Sequence, residues 1–299
     1  MKFIVAVTDN QWFVYLRQRK PEEANFWSPG RAPVRADVGT PWLFKLHAPL
    51  NFVVGGGYFT HRTELPLRVA WDTFAEENGA DSYDAFVARI QRLSGKARPT
   101  EVIGCTVLSE PFFWDESHWL PPPPNWAPNN VSREGYDTAN DPEAAAYWSR
   151  VAALLPSPTV LSPDARPAYG APTTFFPRLG QGGFRSIVID AYSRRCAVTG
   201  ERTLPALEAA HILPFSEVRA HDVRNGLLLR ADLHKLLDDG YVTVTGQYEF
   251  EVSRRIRDEF ENGREYYALH GKQIALPADP RLAPDPVLLD THASRIYRG

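Results

Sequence analysis

Residues 205–238 read PALEAAHILPFSEVRAHDVRNGLLLRADLHKLLD. A strand-like apolar run ends at His211, Asn225 follows fourteen residues later in RNGLLL, and His234 comes nine further on in DLHKLLD. Their neighbours predict burial: LEAAHILP reads as a strand, GLLLR as a second, ADLHKLLD as a short helix. A polar side chain among such residues is ordinarily a satisfied core group, hydrogen-bonded and nothing more. Three in this order invite a second reading, because one ββα unit would bring them together. Neutral imidazole takes a proton from water near its own pKa. A second imidazole is a common ligand for a divalent ion. Asparagine donates and accepts at once and suits the bracing of a loop. Base, metal ligand and brace together describe hydrolysis of a phosphodiester.

AHILP followed by RNGLLLRADLHKLLD resembles the HNH nuclease family, whose core is a ββα-metal fold. The likeness runs over residues 184–292, taking in FR…AYSRRCAVTG before the site and YVTV after it. It implies His211 as general base, Asn225 as brace of the catalytic loop and His234 as metal ligand, with Mg²⁺, Mn²⁺, Co²⁺ or Ni²⁺ as cofactor. Many members carry an Asp or His just before the base as a second ligand, and here that position is Ala210. Strand alternation turns Glu208 the same way as Ala210, so Glu208 or Asp238 is expected to supply the missing ligand. Relatives with paired CxxC motifs bind structural zinc, but here Cys196 in CAVTG stands alone. One thiolate makes no tetrahedral site, and no structural zinc is expected. His221, Arg224 and Arg230 are candidates for the DNA backbone, the arginines alternatively pairing with Asp222 and Asp232.

The chain around this stretch has 299 residues, enough for two domains with separate cores. Hydrophobic content of 43% and charged content of 23% describe a folded, soluble protein. The opening MKFIVAVTDNQW meets Asp9 too soon for a secretory segment and reads as a strand. No run approaches a membrane span. Cys105 and Cys196 are the two cysteines and form no framework, so a cytoplasmic setting is expected. Net charge of −3 announces no nucleic-acid partner, and any such contact must come from a local patch.

All eight tryptophans precede residue 150. LPSPTVLSPDARPAYGAPTTFFPRLGQGG, residues 155–183, is too rich in Pro and Gly for one regular element. The expected division is a recognition domain over 1–160, a linker over 161–183 and a nuclease domain over 184–299. The fold class expected is α+β. In the first half, a strand over Phe3–Val7, a helix in DNQWFVYLRQ, two strands in TPWLFKLHAPLNFVVGGGYF, helices within 68–94 and a strand in EVIGCTVLSEPFFW suggest a small barrel with helices. Gly55–Gly57 read as a bulge or a close backbone approach. In the second half, GFRSIVIDAYSRRC predicts a helix with Ile187, Val188, Ala191 and Tyr192 inward. A hairpin turns at Thr245-Gly246, and the helix SRRIRDEFENG closes at Gly263.

NFWSPG and GTPWLFKLHAPLNFVVGGGYF look like the PUA-like superfamily, particularly its EVE-type members, over residues 1–150. That resemblance implies an aromatic-lined pocket drawing on Asn25, Phe26, Trp27, Phe44, His47 and Trp71. Aromatic residues in strands are mostly core, so the types alone prove nothing. Yet a base is tested for a chemical mark by turning it out of the stack and enclosing it between rings. Reader plus cutter is similar to the modification-dependent restriction endonucleases. It implies double-stranded DNA carrying a modified cytosine as partner, a homodimer to cut both strands, and defence against phage DNA. The alternatives are an HNH effector toxin whose first domain senses RNA, a partner or a nucleotide signal, and a decayed nuclease that only binds nucleic acid.

Overall fold

The computed structural model describes residues 1–30, 32–95, 101–127, 129–155, 179–218 and 222–299. The chain divides into two compact units, Met1–Arg178 and Leu179–Gly299. Most of the stretch expected as a linker lies outside the described residues; its last three, Gln181–Gly183, open a helix instead. The small size of Gly182 and Gly183 lets that first turn sit buried.

The first unit runs β1 (Lys2–Thr8), α1 (Asn10–Arg19), β2 (Glu23–Ser28), β3 (Pro41–Leu46), β4 (Val53–Pro66), α2 (Leu67–Phe74), α3 (Tyr83–Ser94), β5 (Val102–Phe113), β6 (Arg133–Asp137) and α4 (Pro142–Ala152). Local signals explain the helix starts: Asp9 accepts the Trp12 N–H, Ser82 that of Ala85, and Asp141 those of Glu143 and Ala144. The strands form one six-stranded sheet in the order β2-β5-β4-β3-β1-β6, with β1 parallel to β3. The expected closed barrel is therefore corrected to an open sheet whose edges are β2 and β6. Register shifts after Gly56 and Phe59 disturb the β4–β5 ladder and bend it. Gly55 allows the close approach, since a Cβ there would lie 2.2 Å from the Phe112 carbonyl oxygen. Strand β2 ends at Ser28, just before Pro29, which cannot donate to a ladder. Phe3, Val5, Leu43, Phe112, Trp114 and Tyr136 form a core with Tyr147 of α4.

The second unit contains α5 (Gln181–Ala191), β7 (Leu207–His211), α6 (Phe215–Val218), β8 (Gly226–Arg230), α7 (Ala231–Asp238), β9 (Val242–Val244), β10 (Glu249–Val252), α8 (Arg255–Phe260), α9 (Arg264–Tyr267), β11 (Lys272–Gln273) and α10 (Pro286–Arg295). β7 and β8 make a two-stranded antiparallel ladder, and β9, β10 and β11 a separate sheet. Helices α5 and α7 both pack on the ladder. On α5 the buried apolar side chains are Phe184, Val188 and Ile189, while Ile187 and Ala191 are only partly buried. The helix expected to reach Gly263 ends at Phe260, where Glu261 turns left-handed at φ 55°.

Candidate functional site

The β7–β8 register pairs Leu207 with Arg230, Glu208 with Leu229, Ala210 with Leu227 and His211 with Gly226. Strand pleating therefore sends Glu208 and Ala210 to one face and His211 with Gly226 to the other. The second face belongs to α5: a Cβ on Gly226 would meet Val188 Cγ2 at 2.8 Å and the Phe184 ring at 3.0 Å. The glycine of RNGLLL is thus required by a helix lying close over it. His211 stacks on Phe184, with ring centroids 4.2 Å apart and planes 6° from parallel, and Phe215 approaches edge-on at 6.5 Å.

Asn225 is fully buried, and its amide closes a two-point clamp on the chain just after His211. Its Oδ1 accepts the Leu213 N–H and its Nδ2 donates to the Leu213 carbonyl, both at 2.9 Å. Its own carbonyl accepts the Ile212 N–H at 2.9 Å. The side chain thereby extends the ladder two residues beyond the His211–Gly226 pair. An apolar residue at 225 would leave two buried backbone groups unsatisfied.

On the opposite face, His234 of α7 meets Glu208 at 2.6 Å through Nδ1 and Asp238 at 3.5 Å through Nε2. The 2.6 Å contact is a hydrogen bond, the arrangement by which a carboxylate fixes the tautomer of a metal-binding histidine. It leaves Nε2 facing Asp238, one helical turn away on the same face. Hard oxygen and imidazole donors suit Mg²⁺, Mn²⁺ or a similar ion. Among the described residues no three His, Cys, Asp or Glu side chains form a metal-holding group. The two contacts explain why: Glu208 and Asp238 address different nitrogens of one ring, so both cannot share an ion with it. The residues present fit a divalent ion held by His234 and Asp238 with Glu208 behind the ring. Helix α10 supports this end of α7, with buried His292 donating from Nε2 to the Leu237 carbonyl at 3.1 Å and accepting from Thr243 at 2.8 Å. Burial holds the His292 imidazole below the usual histidine range, opposed more weakly by its bond to Leu237 and by Asp238.

The structure thus brings Glu208, His234 and Asp238 together, and Asn225 to the chain bearing His211. The convergence of the two imidazoles expected from the sequence is not seen: His211 and His234 lie on opposite faces of the ladder, and the ring against His211 is that of Phe184. Sequence reasoning had no signal for Phe184, which is one apolar residue among several on α5, nor for His292, which is far along the chain from every site position. Arg230 forms a two-point ion pair with Asp232 at 2.5 and 2.9 Å. The Arg224 side chain reaches Asp285 at 2.7 Å, while its backbone N–H donates to Asp222. His221 lies outside the described residues. Buried Cys196 accepts the Thr199 N–H within its turn.

In the first unit, a cleft of about 420 Å³ opens at the seam between the unpaired edges β2 and β6. Phe26, Trp27 and His47 line it, joined by Trp12, Asp9 and Arg133. Trp12 and Phe26 stand edge-on at 5.7 Å and do not form a parallel pair of ring faces. The other three expected pocket residues lie elsewhere. Asn25 is fully buried and donates to the Asn78 side chain at 2.8 Å, part of a network in which Asn78 also bonds Ala70 and Ala75. Phe44 is wholly core, stacked on Phe26 and edge-on to Trp12. Trp71 packs on Tyr83 and Phe86. Asn25 and Phe44 are fully buried, whereas Trp71 is half-buried against its ring partners, and none of this is visible without the tertiary contacts.

Residues 196–245 match the family model described as HNH endonuclease. The matched segment lies in the second unit and spans Cys196, His211, Asn225 and His234. Among solved structures, the chain is similar to ASCH from Zymomonas mobilis at 10% identity, covering 48% of this chain and 93% of that one with a TM-score of 0.35. A serine-to-alanine mutant of that protein aligns at 12% identity over 50% of this chain and 94% of its own, TM-score 0.34. The modification-dependent TagI restriction endonuclease aligns at 12% identity over 92% of this chain and 75% of that one, TM-score 0.28. Comparison with curated proteins gives no match. Among the described residues, no helix is long and apolar enough to cross a membrane.

Proposed function

We propose that this protein is a modification-dependent DNA endonuclease: the first unit reads a modified cytosine, and the second hydrolyses phosphodiester bonds nearby. What carries the reading is the coexistence, in one chain, of an HNH segment and a separate unit with an aromatic cleft at its open seam. The cleft's volume falls within the range of small-molecule sites, and a base stacked on Phe26 or Trp12 gains roughly 1–3 kcal/mol.

In the nuclease unit, His211 takes the proton of the attacking water. Stacking on Phe184 holds its ring plane, and the Asn225–Leu213 clamp holds the strand end from which it projects. Glu208 holds the Nδ1–H of His234, presenting Nε2 beside Asp238. A divalent ion bound there would supply charge stabilisation at the phosphate and leaving oxygen. His211 is the last residue of β7 and Glu208 lies three earlier, about 10 Å along the strand. This reading requires the scissile phosphate to lie at the His211 end of the ladder, within reach of groups from both faces. Arg224 and Arg230 approach the DNA backbone only by exchanging their carboxylate partners for phosphate. A homodimer places one such site on each strand, and the biological use is restriction of foreign DNA bearing marked bases.

The test is incubation of matched plasmids, unmodified or carrying methylated, hydroxymethylated or glucosylated cytosine, with Mg²⁺, Mn²⁺, Co²⁺ or Ni²⁺. Cleavage of a modified plasmid alone, abolished in His211→Ala, is expected. Equal cleavage of all plasmids removes the reader, and cleavage surviving His211→Ala removes the base.

A further inference from the structure

Val131 is 79% exposed, more than any other large apolar side chain among the described residues. It sits on the rim of the seam cleft, in the turn just before β6. The exposure is built in. Asn130 Oδ1 accepts the Ser132 N–H at 3.0 Å, Asn130 Nδ2 donates to Glu134 at 3.0 Å, and the Asn130 N–H reaches the Ala127 carbonyl at 2.9 Å. On the far side of the tip, the Ser132 carbonyl accepts the Val7 N–H at 2.7 Å. Both flanks of Val131 are thus tied to the sheet, and the side chain is held out in water. Leu93 of α3, 45% exposed, is a second apolar residue on the same rim.

The charges around this rim favour a polyanion. Asp9, the carboxylate in the cleft, is faced by Arg89 at 3.7 Å and Arg92 at 3.3 Å, and Arg133 lines the cleft. An apolar tip two residues before Arg133, beside an aromatic recess, matches the chemistry of duplex DNA with one base withdrawn: phosphates outside, an open apolar gap within. Proteins that unstack DNA commonly insert an apolar side chain between base steps.

We propose that Val131 is a wedge, entering the base stack and filling the gap left when the modified nucleotide turns into the cleft. This rests on the reading of that cleft as a base pocket. Val131 does not touch the base it helps to extrude; it stabilises the extruded state from the stack side. The cost of unpairing is least for a base with no partner, so the wedge matters for a paired target and hardly at all for an orphan one.

The full chain, as wild type, Val131→Ser and Val131→Leu, is titrated by fluorescence anisotropy in metal-free buffer. The duplexes carry 5-methylcytosine, 5-hydroxymethylcytosine or plain cytosine, each opposite either guanine or an abasic site. At so exposed a position both variants keep wild-type stability within about 0.5 kcal/mol, so lost affinity cannot be unfolding. Val131→Ser is expected to weaken binding of the paired modified duplex about tenfold and of the abasic duplex less than about twofold, with Val131→Leu retaining wild-type binding. Unchanged affinity for the paired duplex in Val131→Ser, or an equal loss on both duplexes, overturns the wedge. A wild type that binds plain and modified cytosine equally in both contexts overturns the base pocket itself, a different result from either.

Discussion

Replacing Asn225 with alanine isolates the clamp that positions the strand end bearing His211. The side chain makes two hydrogen bonds of 2.9 Å to the Leu213 backbone, and Asn225 and Leu213 are 0% and 6% exposed. Alanine leaves the Leu213 N–H and carbonyl without those partners in a place water scarcely reaches. Each such group costs about 1–3 kcal/mol. Slight solvent access at Leu213 and the surviving Ile212–Asn225 backbone bond favour the lower part of that range, giving roughly 2–4 kcal/mol for the pair. In a unit spanning residues 179–299 this lowers Tm by roughly 10 °C. Tryptophan distribution makes the assay clean. All eight tryptophans lie in the first unit, so the fluorescence melt should stay put while the far-ultraviolet circular dichroism melt gains an earlier transition. Asn225→Asp keeps the volume and the acceptor but turns an oxygen toward the Leu213 carbonyl, and should be at least as damaging. Cleavage should fall with both variants at temperatures where both units remain folded. Either variant melting within about 0.5 kcal/mol of wild type, with full activity, refutes the clamp.

Glu208→Gln keeps an acceptor for the His234 Nδ1–H and should lower Mn²⁺ affinity, measured by calorimetry, no more than the roughly 10–100-fold typical of an outer partner; Asp238→Asn should lower it further. The reverse order would make Glu208 the ligand and Asp238 the bystander. Stability of the second unit should depend on pH through His292, whose folded pKa is depressed by burial. The unfolded chain then binds the proton more tightly, so this contribution is complete above about pH 6.5 and is lost as pH falls toward the depressed value. Urea unfolding followed by circular dichroism between about pH 8 and pH 5 should show that decline in wild type and a flatter profile in His292→Gln.

The order His211, Asn225, His234 and its apolar context were legible in the chain, because a strand ending in histidine and a helix reading LHKLLD announce themselves by period. So were the caps at Asp9, Ser82 and Asp141, which depend only on nearest neighbours. The openness of the first sheet was not legible, since short strands with Gly and Pro corners suggest a barrel; only the strand order β2-β5-β4-β3-β1-β6 reveals free edges beside an aromatic cleft. Register decided the rest. It put Glu208 against His234, turned His211 toward Phe184 and sent Phe44 into the core while leaving Phe26 in the cleft. Nothing in composition separates Phe44 from Phe26, since each is a phenylalanine in a strand. Asn225 illustrates the division: its type could be read as a brace, but the Leu213 backbone it grips is defined only when two strands pair. Periodicity is a property of neighbours along the chain, whereas a site is a property of neighbours in space, and the second is settled only when the faces of each element meet their partners.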